Sequence, residues 1–143
     1  MNRKIIYLVL AGIGAFGVWQ YTKAPDANSS AEMKKSTGAP MVSVVVPKLS
    51  TVAEEGKLLF DDKCAVCHGK DAAGVEGSGP TFMHRVYVPG HHGDGAFLIA
   101  AKNGVRQHHW RFGNMPPVEG ITDEAVVKII VYVRELQKAN KIF

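Results

Sequence analysis

The chain has 143 residues, 46% hydrophobic and 21% charged, a balance that allows one globular domain with appendages. Its formal charge of +4 is unevenly placed: residues 1–50 hold six Lys/Arg against two Asp/Glu, whereas residues 51–143 hold eleven of each. The basic character belongs to the N-terminal arm, so nothing points to a nucleic-acid-binding face on the domain itself.

The arm opens with Asn2-Arg3-Lys4 and then runs apolar from Ile5 through Trp19, the charged-then-apolar pattern of an export signal. Its apolar run of about 15 to 17 residues falls short of the ~20 of a full membrane span, and Gly12, Gly14 and Gly17 weaken it further. No good small-x-small cleavage site follows, and no cysteine stands there to take a lipid. Trp19 and Tyr21 suit the membrane interface, while Arg3 and Lys4 hold the start on the cytoplasmic side. Residues 1–23 are therefore read as a retained signal-anchor helix, with cleavage to a soluble periplasmic form as the alternative.

Residues 24–50 are rich in Pro, Ser, Ala and Lys and show no period that would bury a face. They read as a flexible linker with a root-mean-square span of about 28 Å. Met41-Val42-Ser43-Val44-Val45-Val46 is the β-prone exception: either an extended segment lying on the domain or an edge strand for a partner.

The domain, residues 51–143, begins with a helix near Thr51, where Thr51-x-x-Glu54 matches a capping box and Leu58, Leu59 and Phe60 supply an apolar face. Gly56 in its middle costs about 1 kcal/mol relative to Ala, tolerable where another helix must come close.

That helix leads into Cys64-Ala65-Val66-Cys67-His68. Two cysteines three apart lie on one side of a helical turn, so both sulfurs can reach the two vinyl groups of one porphyrin, with the imidazole of His68 beside the ring for its iron. A structural zinc site needs four ligands, and these are the only two cysteines. A thioredoxin-like pair lacks its α/β context, and a disulfide across so short a loop is strained. The motif predicts one covalently bound haem c, with Cys64, Cys67 and His68 as binding residues.

A short helix follows from Asp94 as N-cap, through Phe97, Leu98, Ala100 and Ala101, to the stop at Asn103-Gly104. Met115 in Gly113-Asn114-Met115-Pro116-Pro117 is the candidate for the second iron ligand, because glycine frees the backbone before it and prolines fix it after. The last helix opens at Thr122-Asp123-Glu124 and carries a buried stripe of Val126, Ile129, Ile130, Val133 and Leu136, with Lys138 and Lys141 closing it. No segment reads as a paired strand.

His84, His91-His92 and His108-His109 remain unassigned. They fit solvated loop residues or partners of the haem carboxylates, a second metal site, or a replacement for Met115. Arg106 and Arg111, around Trp110, fit either haem carboxylate partners or an ordinary solvated basic loop.

With Cys64-x-x-Cys67-His68, Gly77-Ser78-Gly79-Pro80 and Met115-Pro116 in that order, residues 51–143 resemble the class I cytochromes c. The resemblance implies an all-α, small cytochrome c fold around a covalently bound haem, here preceded by the signal-anchor helix. It further implies that the Pro80 carbonyl meets the far nitrogen of His68, and that Gly56, Phe60 and Tyr132 are packing positions where the first and last helices cross. Phe82 departs from the leucine that many members have after Gly-Pro-x, and the domain lacks the lysine excess of mitochondrial members.

Together these features describe a carrier rather than an enzyme: a single-electron shuttle with His68 and Met115 on the iron. It is expected at the periplasmic side of the cytoplasmic membrane, exchanging electrons with a respiratory complex, oxidase or dehydrogenase. Rival readings are a haem-based redox or gas sensor or enzyme subunit, which needs an open iron position, and a metal-handling module built on the paired histidines.

Overall fold

The computed structural model describes residues 38–143, so the signal-anchor helix expected over 1–23 lies outside the described residues. Among the described residues no helix is long and apolar enough to cross a membrane. Four α-helices form the domain: α1 (Thr51–Lys63), the single turn α2 (Ala65–His68), α3 (Asp94–Asn103) and α4 (Asp123–Ala139). Short 3-10 turns lie at Lys70–Ala72 and Arg85–Tyr87, and no strand forms among the described residues beyond isolated bridges.

The crossing of α1 over α4 organises the core. A Cβ on Gly56 would stand 2.0 Å from the Lys128 carbonyl oxygen, so only glycine lets the two backbones come this close. Ala53, Gly56 and Phe60 are the buried positions of α1, three and four residues apart as one helical face requires. Leu58, expected on that face, points outward and is 71% exposed, because it lies two residues from each of Gly56 and Phe60. Phe60 meets Tyr132 of α4 at 5.6 Å between ring centroids, and the Tyr132 hydroxyl donates to Asp71 Oδ1 at 3.1 Å.

Two of the three expected helix starts are one residue late. Ser50, not Thr51, caps α1: its hydroxyl accepts from Ala53 N and also donates to Glu135 Oε1 at 2.6 Å, so the cap doubles as a tie to α4. Gly93 rather than Asp94 holds the N-cap position of α3, and Asp94 pairs instead with Arg134 of α4 at 2.8 Å. Thr122 caps α4 as expected, accepting from Ala125 N. That helix ends at Ala139, so Lys138 lies in its last turn and Lys141 beyond it, at φ 55°.

Residues 38–50, within the segment read from sequence as linker, run extended along the domain. Val42, Val44 and Leu49 pack against the core, and Pro40 bridges to Val75.

Candidate functional site

The attachment sequence sits where α1 gives way to α2. Cys64 ends the first helix, its N–H donating to Phe60 O, and its carbonyl accepts from His68 N at 2.9 Å. Cys67 and His68 therefore share one tight turn, with Cys67 exposed and His68 only 7% exposed. Burial, followed by the charges of Cys67 and Asp62, pushes the Cys64 thiol up to about 12, so it stays protonated in the unmodified chain.

His68 is oriented by the segment that passes above it. Its Nδ1 lies 2.9 Å from the Pro80 carbonyl; a carbonyl only accepts, so Nδ1 carries the proton and Nε2 is left with its lone pair available to a metal. Gly79 makes this approach possible, since a Cβ there would stand 2.5 Å from the Cys67 carbonyl oxygen. Phe82 lies against the imidazole with ring centroids 4.4 Å apart and also meets Phe60, Tyr87 and Phe97. The larger ring thus joins the His68 wall to α1 and α3. Burial holds the imidazole below its ordinary 6.5, the Pro80 contact opposing this.

Cys64, Cys67, His68, Pro80 and Met115 all line one cavity of about 250 Å³. Phe97 and Ala101 of α3, Val126 and Ile129 of α4, and Val118 and Ile121 complete its apolar wall. Met115 is fixed there by a reciprocal backbone pair with Val105, each N–H donating to the other's carbonyl at 2.9 Å. Gly104, at φ 75°, turns the chain into this pair; a Cβ would stand 2.5 Å from the Met115 carbonyl oxygen. Gly104 stood out in the sequence only as a helix stop and Val105 not at all, although a glycine stop ahead of a β-branched residue was the available signal.

Whether these residues suit a haem is tested by the polar groups they leave over. The Trp110 indole Nε1 is buried on the cavity wall and has no partner, a cost unless an acceptor fills the space. An apolar cavity with two thiols, one oriented imidazole, one thioether and a single unmatched donor suits a porphyrin with an anionic edge. Arg106 and Arg111 are exposed and do not line the cavity, which agrees with the solvated-loop reading.

The sequence also missed Arg134 and Gln137. Arg134 is buried in α4, donating to Asp94 Oδ1, Tyr87 O, Gln137 Oε1 and His92 O, with its guanidinium 5.1 Å from the Phe97 ring centre. Gln137 donates to Phe82 O at 2.9 Å. The two fasten the loop over residues 82–92 to the last helix. Their signal was position, since Arg134 follows Ile130 by four residues along the buried stripe.

The paired histidines converge. His91 Nε2 lies 3.2 Å from His109 Nε2, and His92 Nε2 lies 3.4 Å from His108 Nε2. His84 stands apart, its Nδ1 accepting from Val86 N and its ring against Trp110. Desolvation, then the neighbouring imidazoles led by His108, holds His109 below its ordinary 6.5.

The fold and the cavity define a helical domain built to enclose a covalently attached porphyrin. Residues 53–137 match the family model described as Cytochrome c. The chain is 32% identical over 130 residues to cytochrome c-551 of Bacillus subtilis strain 168, covering 91% of this chain and 93% of that protein. It is 30% identical over 108 residues to the cbb3-type cytochrome c oxidase subunit FixP of Sinorhizobium medicae, covering 73% of this chain and 35% of the subunit. With the CcoP subunit of Azospirillum brasilense it shares 34% identity over 94 residues, 61% of this chain and 29% of that one. The chain thus spans about a third of the length of the oxidase subunits it matches. No solved structure gives a significant match. The chain belongs to the cytochrome c family, as a class I c-type member whose cofactor is one covalently bound haem c.

Proposed function

We propose that this chain is a single-electron carrier, passing electrons between respiratory or dehydrogenase complexes at the periplasmic face of the cytoplasmic membrane. Cys64 and Cys67 would hold the haem through thioethers, and His68 and Met115 would supply the ligands to its iron. The haem supplies one-electron chemistry at iron. The protein's part is to fix the ligands, exclude water and leave the iron no vacant position. Pro80 selects Nε2 of His68 as the ligand, and the Val105 pair holds Met115 in place. The observation that carries the reading is that both ligand candidates line one cavity with their backbones or rings already committed elsewhere. An iron with both axial positions filled changes charge without binding substrate, which favours a carrier over a sensor or an enzyme.

Residues 1–23 serve as the signal-anchor, and the part of the linker ahead of the stretch packed on the domain, residues 24–37, as a tether. The domain balances eleven cationic against eleven anionic residues, so tethering rather than long-range attraction brings it to its partner. Similarity to subunits of cbb3-type oxidases supports a partner of the oxidase class.

Spectra of the reduced full-length protein, with and without carbon monoxide, test the reading. Wild type is expected to bind no carbon monoxide, and Met115→Ala to keep its haem, bind the gas and show a lower midpoint potential. Ready binding by wild type would overturn the carrier assignment in favour of a sensor or an enzyme.

A further inference from the structure

The four clustered histidines come from two separate loops, and two of their rings are oriented from outside the cluster. His92 Nδ1 lies 2.5 Å from Val86 O and His108 Nδ1 lies 2.9 Å from Arg106 O. Since a carbonyl only accepts, both Nδ1 atoms carry protons, and each neutral ring presents a lone pair at Nε2. Those two Nε2 atoms stand 3.4 Å apart, acceptor facing acceptor. Such a pair repels unless a cation is shared between the nitrogens.

The spacing favours a metal ion. Nitrogens about 2.0–2.1 Å from a tetrahedral zinc lie about 3.3–3.4 Å from one another. The two Nε2 pairs, at 3.2 and 3.4 Å, match that edge length. Ring nitrogens of His91, His92 and His109 all fall within 4.8 Å of one another, and His108 joins through His92. Carbonyl bonds to Nδ1 are the outer contacts that orient metal-binding imidazoles and raise their basicity. The arrangement is also tied to the core, since Arg134 donates to the His92 carbonyl at 3.1 Å.

We propose that His91, His92 and His109, with His108 beside His92 as a fourth imidazole within reach, form a second metal site, separate from the haem iron, that takes one divalent ion of the zinc or copper class. An all-imidazole set suits these ions and not magnesium or calcium, which take oxygen ligands. His92, His108 and His109 also line the haem cavity. A dication held there opposes the extra positive charge of oxidised iron, so its binding raises the midpoint potential of the haem. The carrier's potential thereby responds to the metal.

The test is calorimetric titration of the full-length holoprotein with zinc sulfate, followed by redox titration with and without zinc. One equivalent is expected to bind in the micromolar range or tighter and to move the midpoint potential upward. His91→Ala and His109→Ala should each weaken binding roughly tenfold or more, since loss of even an outer contact costs that much. Cupric ion in the same protein should give an electron paramagnetic resonance spectrum split by several imidazole nitrogens. His91 does not line the haem cavity, so His91→Ala retains a readable haem if His109→Ala does not. Absence of saturable binding would mean that a proton alone bridges the rings and would overturn the proposal. Binding that survives both substitutions would also overturn it, placing the metal elsewhere on the surface.

Discussion

Asn140 pairs with the backbone of Val45 as a neighbouring strand would. Val45 N donates to Asn140 Oδ1 at 2.9 Å, and Asn140 Nδ2 donates to Val45 O at 2.8 Å. The same amide nitrogen donates to Leu136 O, so one side chain both closes α4 and holds residues 38–50 on the domain. Asn140→Ala should therefore cost about 1 to 2 kcal/mol, the net worth of a few partly exposed hydrogen bonds. Urea denaturation of the holoprotein measures this, and protease sensitivity near Val45 should rise while the haem spectrum stays unchanged.

Gly56→Ala should cost more. The added methyl would overlap the Lys128 carbonyl oxygen, so α1 and α4 must separate along their whole contact. Destabilisation of about 3 kcal/mol is expected, at the upper end for an overpacked core. Thermal melting gives the check, and a loss below about 1 kcal/mol would show that the crossing yields easily.

Trp110→Phe keeps an aromatic ring beside Phe112 and removes the indole donor. If that donor serves a haem carboxylate, it favours the ionised form, and its loss raises the carboxyl pKa. The pH-dependent step in the midpoint potential should then move to higher pH. An unchanged step would assign the indole another acceptor.

The domain should weaken in alkali. Burial, with Asp71 second, holds the Tyr132 hydroxyl above its ordinary 10.0, and burial pushes Tyr87 up to about 12. Above pH 10 the unfolded chain releases these protons while the folded chain keeps them, so ionisation favours unfolding. Stability from this source is complete below pH 10 and falls as the pH climbs toward the folded values. Denaturation midpoints at pH 9 and pH 11 should show the fall, and Tyr132→Phe should make it shallower.

Local patterns made much of this molecule readable. Cys64, Cys67 and His68 are fixed by adjacency, and the α4 stripe by helical spacing. Ser50 and Gly93 were missed as caps because Thr51 and Asp94, their neighbours, are equally good cap formers. The choice was made by Glu135 and Arg134, contacts 85 and 40 residues away. Arg134 and Gln137 escaped for a similar reason: a polar side chain on a helix reads as solvated until its buried partners are known. The paired histidines were visible as pairs, and a metal site was one reading of them, but their convergence had no local signature, because it depends on the Val105–Met115 pair and on the Arg134 bond to the His92 carbonyl.

The Val105–Met115 pair closes the base of a loop over residues 106–114, whose interior is cross-tied by Gln107 N to Asn114 Oδ1 and Gly113 N to Gln107 Oε1, both at 3.0 Å. Both ends of the loop are anchored at the cavity, while His108, His109 and Trp110 ride between them. The loop is therefore a piece of the cavity wall as much as a surface feature. Gln107, His108, His109, Trp110 and Phe112 line the same space as Met115, so a change in the loop's sequence alters the surroundings of that space even where the Val105 pair keeps the Met115 backbone in place.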